Sequence, residues 1–293
     1  MVYTFCVGFD IAYSRMVGNA RASVDGISRC ADSHAFSICF FSGILMAFGN
    51  QLFCEVIMYS STDVLLREKY NKVVEKHKYP IRGLFVPSDN PCSKVLFVGY
   101  NPSLGKTPQN NDYPKFSDIC ENEFWEPVKE LAKDIIDDVA FLDMFPVRSS
   151  NQHELESEKY NSLRSELLEI TQQEIEEHIK PKLIVMLNRS ASYYWGIKKN
   201  ALWMGYDFQN TSFGDIRGNK VLRIRGFKES SFGNTRINID KFSDENSSLV
   251  SSKTHVLFYR QLKTNRKQYS AESIITSKEL YYLWADIKSM TNK

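Results

Sequence analysis

The stretch Lys94–Thr107, KVLFVGYNPSLGKT, joins a continuous apolar run to a Gly/Asn/Pro turn and ends in Gly-Lys-Thr. Two chemistries use such a junction. A phosphate loop needs Gly, four residues, then Gly-Lys-Ser/Thr, and a helix whose first amides and dipole hold the phosphates. Here five residues separate Gly99 from Gly105, and PQNNDYP follows Thr107 where that helix should begin. Pro102 also removes one amide donor from the loop. The Gly-Lys-Thr is therefore read as coincidence. The second chemistry starts from Asn101 at the carboxyl end of a buried parallel strand, where ligands of open α/β sheets bind. An amide there can hold a water or a substrate edge, and Pro102 fixes the turn. Asn and Pro are also ordinary turn residues, so the pattern alone does not decide.

The elements that must carry this turn are legible as hydrophobic periodicity. Val95–Gly99 (VLFVG) reads as a strand covered on both faces, Leu183–Leu187 (LIVML) as another buried strand, and Val139–Met144 (VAFLDM) and Thr254–Tyr259 (THVLFY) as further strands. Lys220–Arg225 alternates, as a strand with one wet face does. Apolar residues at three-and-four spacing predict helices over Thr62–Lys78, Ile119–Asp138, Glu154–Ile179 and Ala271–Met290, with Pro181 stopping the third. Strands alternating with helices predict an α/β fold. The expected form is a three-layer αβα sandwich around a central, mostly parallel four-stranded sheet. Glu229–Ser252 is Ser/Asn/Asp-rich and reads as an excursion from it.

The chain has 293 residues, 43% apolar and 13% aromatic, enough for a sizeable core. Its net charge of +2 predicts no polyanion partner, but the charge is unevenly spread. Thr107–Lys180 holds 18 acidic and 7 basic residues, whereas Arg217–Lys293 holds 7 acidic and 15 basic. That basic end is either a surface for nucleic acid or an unevenly solvated face. The six cysteines show no C-x-x-C and no zinc spacing, and four lie within the first 54 residues. A reduced, cytoplasmic protein without metal is expected.

Residues 1–57 differ from the rest, being rich in Ser, Cys, Phe and Gly with little periodicity. The apolar run Phe36–Phe48 has 13 residues, short of the roughly 17 a spanning helix needs. Three readings stand: a start codon placed too early, with translation from Met58; a poorly ordered extension; or a membrane-associated segment. The domain proper is expected over 58–293, and the expected protein is monomeric and not membrane-bound.

In order, VLFVGYNPS, DYPKFSD, ENEFWEPV, FLDMFPVR and KPKLIVMLNRSASYYWG resemble the signatures of the uracil-DNA glycosylase superfamily, from about Val95 to the C-terminus. The resemblance implies hydrolysis of the N-glycosidic bond of uracil or another deaminated base in DNA, without a cofactor. The target base is flipped into a pocket or taken from a single strand. Asn101 would hold the attacking water; an amide positions water but is no general base. Phe116, with Tyr113 as a rival, would stack on the base. Asp143 stands where many members carry Asn, and would act as base, read the pyrimidine edge, or simply pair with Arg148. Backbone amides near Tyr100 would add to base binding, and the small Ser103 would admit 5-methyl bases.

The last signature departs from the family. It expects a strand followed by a His that stabilises the leaving base. Here His255 opens the strand HVLFY, and Arg260 or Gln261 stands after it. Arg260 could stabilise the anion instead. Lys263, Arg266 and Lys267 would hold flanking phosphates. This departure opens an alternative: a catalytically weak or inactive member that only binds nucleic acid. The iron–sulfur cluster of some relatives needs four cysteines, and only Cys92 and Cys120 follow Met58.

Overall fold

The structure, a computed structural model, describes residues 37–41, 44–48, 64–80, 84, 93–102, 125–149, 152–197, 204–229, 236–259 and 274–291. The chain divides into two compact units, Met1–Met58 and Tyr59–Lys293. In the first, β1 (Ser37–Phe41) and β2 (Ile44–Phe48) form an antiparallel hairpin with Phe41 opposite Ile44. The apolar run that showed no periodicity thus contains two strands.

The second unit is built on one sheet. Its parallel part comprises β3 (Val95–Gly99), β4 (Val139–Asp143), β5 (Leu183–Met186) and β8 (His255–Phe258). All but Phe258 of these strand residues are buried, which is why they read as unbroken apolar runs. The order across the sheet is β4-β3-β5-β8-β7-β6, where β6 is Tyr206–Ile216 and β7 is Asn219–Phe227. The sheet is therefore six-stranded and mixed, which corrects the expectation of four strands. The reason is a hairpin added to the outer edge of β8: β7 runs antiparallel to β8, and β6 antiparallel to β7. β6 (YDFQNTSFGDI) escapes a reading by hydrophobicity because, as an edge strand, it buries only its first residue fully. Its pairing is also interrupted by register shifts, as is common at sheet edges.

Helices cover both faces, and alternate strand residues feed two cores. Leu96, Val98, Leu142, Ile184 and Met186 face α1 (residues 64–76) and α4 (Asn161–Gln173). Val95, Phe97, Phe141, Val185 and Leu257 face α2 (Trp125–Ala132) and α7 (Ser277–Thr291). The long helix expected from Glu154 is broken in two. α3 (Gln152–Glu156) ends at Ser157, whose extended backbone (ψ 138°) cannot continue it, and α4 follows a short 3-10 turn. α4 passes into a π-turn, Glu174–Ile179, and ends at the left-handed Lys180 before Pro181. The remaining helices are short: α5 (Arg189–Ser192) after β5, and α6 (Ser248–Ser251) before β8. No helix among the described residues is long and apolar enough to cross a membrane.

Candidate functional site

The four parallel strands end on one side of the sheet. The chain leaves β3 toward β4 and leaves β5 toward the β8 side, in opposite directions, so the switch point of the topology lies between the tips of β3 and β5. Tyr100, Asn101 and Pro102 emerge there.

Gly99 is opposite Asp143 in the β3–β4 register. A β-carbon on Gly99 would lie 2.1 Å from Asp143 Oδ1 and 3.1 Å from Phe141 Cζ. The bare α-carbon is thus what lets the carboxyl group fold against β3. Beyond this pair the two loops are laced together. Met144 and Phe145 N–H donate to the Gly99 and Tyr100 carbonyls at 3.2 and 2.9 Å, and Ser149 N–H to Pro102 O at 3.3 Å.

Asp143 is 3% exposed and makes no hydrogen bond among the described residues. Burial pushes its pKa up to about 8, against an opposing pull from Arg148. At neutral pH its carboxyl group is mostly protonated and is a hydrogen-bond donor.

Asn101 is half-buried. Its amide nitrogen donates to Ser149 Oγ at 2.7 Å and to Pro102 O at 3.1 Å. Both donor hydrogens are used, which fixes the amide plane and leaves Oδ1 with no partner among the described residues. A fixed carbonyl oxygen at a crevice can accept from a water or from an N–H edge.

Tyr100 turns away from the crevice. It is 4% exposed, edge-on to Phe145 at 5.2 Å, with its hydroxyl 3.3 Å from that of Tyr194. Arg164 Nη1 donates to the Tyr194 hydroxyl at 3.0 Å. Burial raises the Tyr100 pKa, so the phenol stays neutral. Only the Tyr100 backbone is left for a ligand.

The structure therefore brings Asn101 and Asp143 to neighbouring strand tips, with Tyr100 beneath them. Ser103, Phe116, Arg260, Lys263, Arg266 and Lys267 lie outside the described residues. Sequence reasoning missed Ser149, Tyr194 and Arg164. The polar Ser-Ser after FPVR was a visible signal for the first; nothing local marks the other two. His255 opens β8 and so lies at the far end of the sheet from Asn101. No protein-family model matches the chain, and a search of curated proteins finds no match.

Proposed function

We propose that this protein is a DNA base-excision glycosylase of the uracil-removing type, working at the tips of β3 and β4. The observation that carries the reading is a tethered amide, Asn101, just beyond β3, beside a buried carboxyl group held neutral, Asp143, at the adjoining tip of β4. Asn101 Oδ1 orients a water toward the anomeric carbon. As the water oxygen bonds to that carbon, the C–N bond breaks, its electron pair leaves with the base as an anion, and the water gives up one proton to solvent. Asp143, protonated, donates to a carbonyl oxygen of the base and meets the developing negative charge without repelling it. Phe116 stacks on the base, Ser103 leaves room beside it, and Arg260 supplies a cation in place of the family's His. Lys263, Arg266 and Lys267 hold the flanking phosphates of a DNA partner. No cofactor or metal enters this scheme.

One observation favours a second reading, a uracil-DNA-glycosylase-like fold that binds nucleic acid without turnover. The Asn101 amide is already engaged on two protein acceptors, which suits a rigid turn as well as a water clamp.

The test is to incubate the full chain with uracil-containing single- and double-stranded DNA and then treat with alkali. Strand scission well above that of Asn101→Ala is expected. Salt-sensitive binding with no abasic product selects the second reading, and no binding even at low salt removes both.

A further inference from the structure

The opposite end of the sheet holds a cavity of about 600 Å³ with a different character. It opens at the amino ends of β5 and β8, where three neighbouring strands bring basic residues into line. Lys182 immediately precedes β5, His255 opens β8, and Arg223 of β7 is directly opposite His255. The His255 N–H donates to the Lys182 carbonyl at 2.9 Å, which locks this alignment. Lys253, in the turn before β8, adds another cation.

No carboxylate is among the described residues that line the cavity. Neither Lys182 nor Lys253 has an ion-pair partner among the described residues. Arg223 faces the side-chain amide of Gln209, a neutral group. His255 Nδ1 is buried and has no partner among the described residues. Burial and the Arg223 charge hold the imidazole pKa down to about 4. Like charges set across adjacent strands repel one another. Elsewhere in this unit basic side chains meet carboxylates, as in Arg217–Glu279, Arg225–Asp207 and Lys241–Glu177. Among the described residues the cavity is thus a cluster of cations with no anion to balance it. One wall is apolar, formed by Phe213, whose ring stands edge-on to His255 at 5.5 Å, and by Met290.

We propose that this cavity binds a small phosphate monoester whose organic part carries an aromatic or apolar group. Lys182, Arg223 and Lys253 take the phosphate, and Phe213 and Met290 take the organic part. A volume of this size suits a ligand as large as a nucleotide. The site does not depend on the chemistry proposed at the other end of the sheet.

The experiment is calorimetric titration and thermal melting of the full chain with four probes: adenosine 5′-monophosphate, inorganic phosphate, adenosine and a long oligonucleotide. The monophosphate is expected to bind and raise the melting temperature, inorganic phosphate to do so more weakly, and adenosine not at all. Each of Lys182→Gln and Lys253→Gln should weaken the monophosphate about tenfold, the loss of one charge-assisted contact. Asn101→Ala should leave it unchanged, which separates this site from the crevice. Circular dichroism of the variants checks that they fold. Two results would overturn the proposal: no response to either phosphate probe at millimolar concentration, or equal affinity in both lysine variants. A third is a response to a long oligonucleotide alone, which would make the cations a polymer-binding face.

Discussion

Asp143 and Glu176 are buried carboxyl groups at opposite ends of the same sheet, and they are treated in opposite ways. Glu176 lies on the π-turn that leads into β5 and is 2% exposed. It accepts from Tyr206 Oη at 2.9 Å and Ser247 Oγ at 2.7 Å on one oxygen. Its other oxygen accepts from Ser248 Oγ at 2.9 Å and the Leu249 N–H at 3.1 Å. Asp143, equally buried, has no donor among the described residues and takes up a proton instead. The lesson is about division of labour. A carboxylate with four donors is a structural joint, here tying α6 and β6 to the turn before β5. A buried carboxyl group with no donor among the described residues costs stability, and groups perturbed in this way cluster at functional sites.

The largest expected effect follows from that cost. In the folded protein Asp143 keeps its proton up to about pH 8, while unfolded it loses it near the ordinary aspartate value of 3.8. Between those values the folded state binds the extra proton. Stability is therefore full below about pH 4 and falls as pH rises to 8, by up to about 1.4 kcal/mol per pH unit and roughly 6 kcal/mol in all. His255 acts with the opposite sign: its folded pKa of about 4 is below the ordinary 6.5, so its contribution is lost as pH falls through that range. The two oppose each other below pH 6.5, and only the Asp143 slope remains between 6.5 and 8. Asp143→Asn has no proton to lose. Denaturant melts across this range should show wild type weakening relative to Asp143→Asn as pH rises; parallel curves would place the ionised form in the fold.

Glu176→Ala tests the other member of the pair. It strands Tyr206, Ser247 and the Leu249 N–H without their acceptor, while Ser248 keeps the backbone carbonyl of residue 176 at 2.6 Å, for an expected loss of about 3–4 kcal/mol at neutral pH. Asp143→Ala measured in the same buffer should cost clearly less. Comparable losses in urea melts would mean that Asp143 is a structural joint as well.

Gly99→Ala is next in size. Its β-carbon has nowhere to go while the Asp143 carboxyl group stays in place, so a loss of about 2–3 kcal/mol is expected. Asp143→Ala in the same chain should restore much of it, because it removes the nearest obstacle. Additive losses in the double-mutant cycle would show that Phe141 is the true obstacle.

The contrast between the ends of the sheet also explains what the sequence discloses. The parallel strands were legible because both of their faces are buried, so VLFVG and LIVM carry the signal in every residue. β6 was not, since an edge strand of DFQNTSFGDI needs no apolar face. The α3–α4 break rests on the backbone of Ser157, inside a stretch whose periodicity runs on unbroken. At the site, Asn101 and Asp143 were recognisable as strand-end residues. Their adjacency depends on the β3–β4 register, and the inward turn of Tyr100 depends on the cavity left by Phe145 and Tyr194; both are tertiary. The cationic cavity was out of reach for the same reason, since Lys182, Arg223 and Lys253 belong to three separate approaches to the sheet.

The smallest effect concerns how the Asp143 loop is held. Tyr70 of α1 is fully buried, and its hydroxyl is 2.8 Å from Thr171 Oγ1 of α4. Thr171 Oγ1 in turn is 3.0 Å from the carbonyl of Met144, the residue after Asp143. A threonine hydroxyl has one hydrogen, shared here between the Met144 carbonyl and that of Leu167 at the same 3.0 Å, so Tyr70 is the donor to Thr171. Tyr70→Phe removes the outer bond of this relay and leaves the inner one, for about 1 kcal/mol. The relay holds only the backbone beside Asp143, so the pH at which wild type loses stability should not move in Tyr70→Phe. A shift of that midpoint, read from melts at several pH values, would show that the carboxyl group is set by its loop as much as by its burial.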